Sequence, residues 1–162
     1  MPGMKRLAEV WQPGAERTFS GPALLDTHVW IWYLDGADDR LPSAAVRLLR
    51  RCVRGEGLLV SDISVWEAGT KVAKGRLTLS PNVSAWLARA EGRPGFGFLP
   101  LDRQILLSST QLPGTVHGDP ADRMLIATAA LTGIPLVTAD RLIVEYAAAQ
   151  GGLSVCDARL AA

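Results

Sequence analysis

The sequence predicts an α/β protein, a three-layer α/β/α sandwich around a central parallel β-sheet. Short apolar runs recur at Ala23–Leu25, Leu58–Val60, Phe98–Leu101, Pro135–Thr138 and Leu153–Cys156. Longer segments of helical pattern separate them, the alternation expected of parallel strands joined by helices and covered on both faces. With 162 residues, 48% hydrophobic and 20% charged, the chain has the content of one domain with a substantial core.

Residues 1–20 carry Pro2, Gly3, Pro13, Gly14 and scattered charges without sustained periodicity. They read as a flexible N-terminal extension, and the domain occupies residues 21–162. Its first run ends at Asp26 and leads into the apolar Val29-Trp30-Ile31-Trp32-Tyr33. Next comes a helix in which Arg47, Arg50, Arg51 and Arg54 form one basic stripe, with Leu48, Leu49, Cys52 and Val53 facing inward. After the second run, Ser64-Val65-Trp66-Glu67 reads S-x-x-E, a capping box opening a helix toward Lys74. Gly75, Gly92-Arg93-Pro94-Gly95 and Pro113-Gly114 punctuate loops. Further on, Asp119 is an N-cap, Pro120 takes the first helical position and Asp122 falls at N3, where an acid suits the helix dipole. Asp140 follows the fourth run and precedes Arg141-Leu142-Ile143-Val144, again as an N-cap.

Composition excludes several classes of function. Lys+Arg is 17 against Asp+Glu 16, a net charge of +1, so any polyanion must be held by a local patch rather than a general field. Cys52 and Cys156 lie far apart without C-x-x-C spacing, which argues against zinc and for reduced thiols in a cytoplasmic protein. No apolar run approaches the roughly 18 residues of a membrane helix, and none follows Lys5 and Arg6 as a signal peptide would.

Taken singly, Glu67, Asp119, Asp122 and Asp140 are ordinary helix-start residues, and only Asp26 resists that reading. Their joint placement says more. Asp26, Glu67 and Asp140 each follow a strand, Asp122 lies in a first helical turn, and the carboxyl ends of parallel strands share the edge where ligands bind. Two carboxylates about 4 Å apart repel by about 4 kcal/mol at an effective dielectric near 20, so a cluster calls for a compensating charge. A hard cation is suited to it, magnesium or manganese, held by oxygen donors. Such a site cleaves phosphodiesters, with a water activated by the metal attacking in line.

The motifs LLDTHVWIW, SDISVWEAGTKVAKGRL, HGDPADRMLIATA and PLVTAD, in this order and spacing, resemble the PIN-domain ribonucleases of VapC type, the toxin halves of toxin–antitoxin pairs. The resemblance covers about residues 22 to 156. It implies a central parallel sheet, a magnesium- or manganese-dependent endoribonuclease acting on RNA, and inhibition by a cognate VapB-type antitoxin. It also implies a homodimer. Carried over by position, the acidic quartet of metal ligands and catalytic groups falls on Asp26, Glu67, Asp122 and Asp140, and Asp119 keeps its cap. Ala121 and Gly118 depart from the family's usual aromatic and basic residues without touching the acids.

Around the acids, Thr27 and Thr138 are candidates to hold a water or an acidic side chain, with Asp119 as a further supporting residue. Lys71, Lys74 and Arg76 are the candidate RNA contacts, because a cleft of acids needs counter-charge to admit a polyanion. His28 and His117 are not required as bases. Trp30, Trp32, Tyr33 and Trp66 offer either core and interface anchors or faces for unpaired bases. Other readings remain. A phosphoacceptor receiver domain wants a Lys near its last strand, and Leu153-Ser154-Val155-Cys156-Asp157 has none. A dehalogenase-type phosphatase wants D-x-D where Asp26-Thr27-His28 stands. A non-catalytic α/β interaction module would use the acids only as caps.

Overall fold

The computed structural model describes residues 21–37, 39–115 and 118–159; residues 1–20, read above as an extension, lie outside them, as does His117. The sheet is built from β1 (Ala23–Leu25), β2 (Leu58–Ser61), β3 (Phe96–Leu99), β4 (Leu136–Thr138) and β5 (Val155–Asp157). The helices are α1 (Thr27–Asp35), α2 (Ser43–Arg54), α3 (Asp62–Ala73), α4 (Val83–Glu91), α5 (Arg103–Thr110), α6 (Pro120–Thr132) and α7 (Arg141–Gln150). Strand order is β3-β2-β1-β4-β5 and every pairing is parallel. This is the expected α/β/α sandwich.

Alternation along the strands feeds two cores. Ala23, Leu25, Leu58, Val60 and Val137 join one cluster with Trp30, Leu48, Leu49 and Trp86 from α1, α2 and α4. Leu24 and Leu136 point the other way, to Leu125, Ile126, Ile143 and Tyr146 of α6 and α7. A strand side chain switches face at each residue, so even a three-residue strand serves both layers. On α2, Leu48, Leu49 and Cys52 are buried while Arg47, Arg50 and Arg54 are exposed, as the basic stripe predicts; Arg51 and Val53 are intermediate. Cys52 and Cys156 are buried and not joined in a disulfide.

The third strand is displaced from the expected Phe98–Leu101 to Phe96–Leu99. It starts directly after Gly95, whose φ of 82° makes the turn and whose added Cβ would stand 2.6 Å from Val53 Cγ1. It stops before Pro100, which lacks the N–H a ladder needs. Pairing Phe96 with Leu58 and Phe98 with Val60 sets the register, which local apolar content does not contain.

Candidate active site

Because β1 lies between β2 and β4, the chain leaves β1 toward one side of the sheet and later returns to the other. The carboxyl ends of β1 and β4 therefore border the switch-point crevice where open parallel sheets bind ligands. Asp26 follows β1 and is buried. It sits at the N-cap position of α1, yet its carboxylate makes no cap hydrogen bond; instead Asp26 Oδ2 accepts from Thr138 Oγ1 at 2.6 Å. Thr138, fully buried at the end of β4, also accepts from the Asp140 backbone N–H at 2.9 Å. Asp140 caps α7 as expected, Oδ1 accepting from Leu142 N at 2.7 Å.

Glu67 enters from α3. The expected capping box is not formed: Ser61, not Ser64, is the N-cap, accepting from Ile63 N at 3.2 Å. The helix begins as soon as β2 ends, so Ser64 and Glu67 lie inside it and face inward, both buried. Thr27 Oγ1 donates to Glu67 Oε2 at 2.7 Å and lies 2.8 Å from Ser64 Oγ. On its other oxygen, Glu67 Oε1 accepts from Lys71 Nζ at 2.5 Å, and the same ammonium lies 3.0 Å from His28 Nε2.

At α6, Asp119 Oδ1 accepts from Ala121 N at 2.8 Å, the predicted cap, with Pro120 opening the helix. Asp122 is buried in the first turn. Burial and the charges of Asp26, Asp119, Asp140 and Glu67 push its pKa up to about 8. Asp26 is raised as well, chiefly by burial, with Glu67 adding to the rise and the Thr138 hydrogen bond and His28 opposing it. Asp122 thus feels the charges of the three other predicted acids, and Asp26 that of Glu67.

Comparison with known proteins identifies the family. The PIN domain family matches residues 23–149. The chain belongs to the PIN-domain family. It is similar to Ribonuclease VapC22 of Mycobacterium tuberculosis (strain ATCC 25618 / H37Rv), 34% identical over 119 residues, which span 73% of this chain and 86% of that protein. In three dimensions it is similar to a chain of the crystal structure of VapBC2 from Rickettsia felis bound to a DNA fragment from their promoter. There the TM-score is 0.61 at 14% identity, covering 83% of this chain and 96% of the other. The chain is a PIN-domain protein related to the VapC-type toxins.

The donor set of this PIN domain is all oxygen, carboxylates with Thr hydroxyls beside them, which suits magnesium or manganese and not a thiolate-seeking metal. Among the described residues no three His, Cys, Asp or Glu side chains stand close enough to grip one ion as they lie. A magnesium site does not require that: it keeps waters and is held through one or two carboxylates and substrate phosphate. Burial first, and then the charges of the neighbouring acids, raise Asp122, and a bound cation would offset the second of these.

Of the candidate RNA contacts, Lys71 lies against Glu67, whereas Lys74 and Arg76 are exposed beyond the end of α3. Trp30 belongs to the core, edge-on to Trp86 and Phe98 with ring centroids 4.9 and 6.0 Å apart. Trp32 and Tyr33 are half-buried, and Trp66 is exposed.

The sequence reading missed one acid of the PIN domain's carboxyl edge. Asp157 pairs with Thr138 in register and accepts from Arg159 Nε at 2.9 Å and Nη2 at 2.6 Å. Hydrogen bonding from Arg159 holds the Asp157 carboxyl below its ordinary range. Besides Asp157, the charges of Asp140 and Glu145 act on the Arg159 guanidinium. The signal was present, since Asp157 ends the last apolar run as Asp26 ends the first.

Proposed function

We propose that the chain is a magnesium- or manganese-dependent endoribonuclease that cleaves RNA phosphodiesters as the toxin of a toxin–antitoxin pair. In this reading Asp26, Glu67, Asp122 and Asp140 hold the cation and form the catalytic centre. The observation that carries it is at the ends of β1 and β4, where the buried Asp26 stands at a cap position without capping and shares the Thr138 hydroxyl with the backbone of Asp140. Kinship with VapC-type toxins supports ribonuclease activity, a VapB-type antitoxin as partner and a homodimeric, cytoplasmic protein. Among the described residues no helix is long and apolar enough to cross a membrane.

When bound, the cation supplies Lewis acidity to a water and to the scissile phosphate. The chain's own residues do the rest. Thr138 orients the Asp26 carboxylate, Thr27 and Lys71 fix both oxygens of Glu67, and the cap at Asp119 aims Asp122. Lys71, with Lys74 and Arg76 nearby in sequence, offers positive charge to the RNA backbone.

A non-catalytic module whose acids serve helix starts accounts for Asp119, Asp140 and the first-turn Asp122 but not for Asp26 and Glu67. Asp26 stands at a cap position without capping, and Glu67 lies within a helix. The deciding experiment is RNA cleavage by purified protein with and without Mg2+ or Mn2+, beside Asp26→Asn. Metal-dependent cleavage lost in the variant supports the nuclease. Absence of both metal binding and Asp26-dependent cleavage leaves only the scaffold.

A further inference from the structure

A cavity of about 490 Å³ opens beside the acids, between α1 and the turn that follows α3. Its walls include His28, Trp32, Arg40, Lys71 and Arg76. It adjoins the catalytic crevice through Lys71, whose ammonium touches both Glu67 and His28. We infer that this cavity receives one unpaired nucleobase of the RNA, stacked on Trp32, while the phosphate joined to it lies at the acids; the inference rests on the nuclease reading above.

Trp32 differs from the other tryptophan of its helix. Trp30 is fully buried, whereas Trp32 borders the cavity half-buried. Its ring meets His28 at 5.6 Å between centroids, tilted by 41°, and the Arg40 guanidinium stands 5.9 Å from its centroid. An aromatic face with a guanidinium beside it is an arrangement on which unpaired bases stack, since every base has a π-face and Arg adds a cation–π contribution.

The other walls favour a base over a second phosphate. Asp35 and Asp39 also line the cavity and repel a phosphate, but they accept hydrogen bonds from base amino and imino groups. Asp35 is held in place, its Oδ1 accepting from Trp86 Nε1 at 2.8 Å. Arg40 supplies donors for base carbonyls and ring nitrogens. The cavity thus offers both hydrogen-bonding polarities around an apolar floor, a set that reads a base edge. Phosphate is left to Lys71, which lies against Glu67, and to Arg76 of the cavity wall.

Binding can be measured without cleavage in the Asp122→Asn chain. A short, end-labelled single-stranded RNA is titrated by fluorescence anisotropy, then the same RNA with one abasic nucleotide moved along it. At one position, removing the base should weaken binding about tenfold, the scale of one stacked base. Adding Trp32→Leu should weaken intact RNA to the same degree and erase the difference. Arg40→Ala, at an exposed position, should act in the same direction with the fold intact by circular dichroism. Equal binding of intact and abasic RNA at every position, or no effect of either substitution, overturns the inference. Cleavage by the wild-type chain separates the two readings. Unchanged sites and rates in Trp32→Leu and Arg40→Ala remove the pocket and leave the nuclease. Base-dependent binding without any metal-dependent cleavage removes the nuclease and leaves the pocket.

Discussion

Thr138 Oγ1 donates to Asp26 Oδ2 at 2.6 Å, a bond between residues 112 positions apart, and the same oxygen accepts from the Asp140 backbone. One hydroxyl thus ties the ends of β1 and β4 together and sets two of the proposed metal ligands. Thr138→Val keeps the shape and removes the oxygen, leaving a buried acceptor and an N–H to lose their partner. The expected cost is about 1–3 kcal/mol in urea denaturation, with slower RNA cleavage. Thr138→Ser should restore both; equal cleavage by the Val and Ser variants would show that the hydroxyl does not orient Asp26.

Asp122 makes the metal-free protein sensitive to pH. Its folded pKa, about 8, lies above the ordinary value of 3.8 for an Asp side chain, so the folded state holds a proton that the unfolded state has released. Stability in EDTA should therefore fall as pH rises from about 4 to about 8 and level off beyond. Asp122→Asn should flatten that slope and abolish cleavage, and Mg2+ or Mn2+ should stabilise wild type more at pH 8 than at pH 5. Denaturation midpoints across this range decide it: a slope in Asp122→Asn equal to that of wild type would place the titrating group elsewhere.

Lys71 both neutralises Glu67 and offers charge to RNA, and the two roles oppose one another in a substitution. Lys71→Gln removes a cation beside the metal ligands, so Mn2+ affinity should rise by a few-fold, in keeping with the modest coupling of a partly exposed ion pair. Cleavage and RNA affinity should fall. Isothermal titration with Mn2+ and initial cleavage rates measure the two sides, and weaker Mn2+ binding in the variant would assign Lys71 to holding Glu67 in place.

Asp119 is expected to act by capping alone. Asp119→Ala should cost about 1 kcal/mol and reduce cleavage only as far as α6 frays, while Asp119→Ser retains both stability and activity. A Ser variant that is stable but inactive would move Asp119 into the catalytic group.

The lengths of chain that became strands were largely legible because each is a compact apolar run between polar turns, and β1 was located to the residue. Reading β3 two residues late followed from Gly97, which looks like a loop residue. In the sheet its added Cβ would stand 3.1 Å from Leu59 Cδ2, so the neighbouring strand calls for the small residue. The Ser64–Glu67 box failed for a related reason: its spacing is right, but α3 starts at the sheet without a loop, and both side chains turn inward to Thr27.

From the sequence alone came the alternation of strands and helices, the caps at Asp119 and Asp140, and the choice of Asp26, Glu67, Asp122 and Asp140 as the acids to watch, because these depend on local pattern and motif order. Only the tertiary structure decided that Asp26 and Glu67 do not serve as caps, that Thr138 serves Asp26, and that Lys71, Trp32 and Arg40 border one cavity. Those relationships join residues far apart in the chain, and parallel strand pairing, which brings them together, leaves no local trace in any one segment.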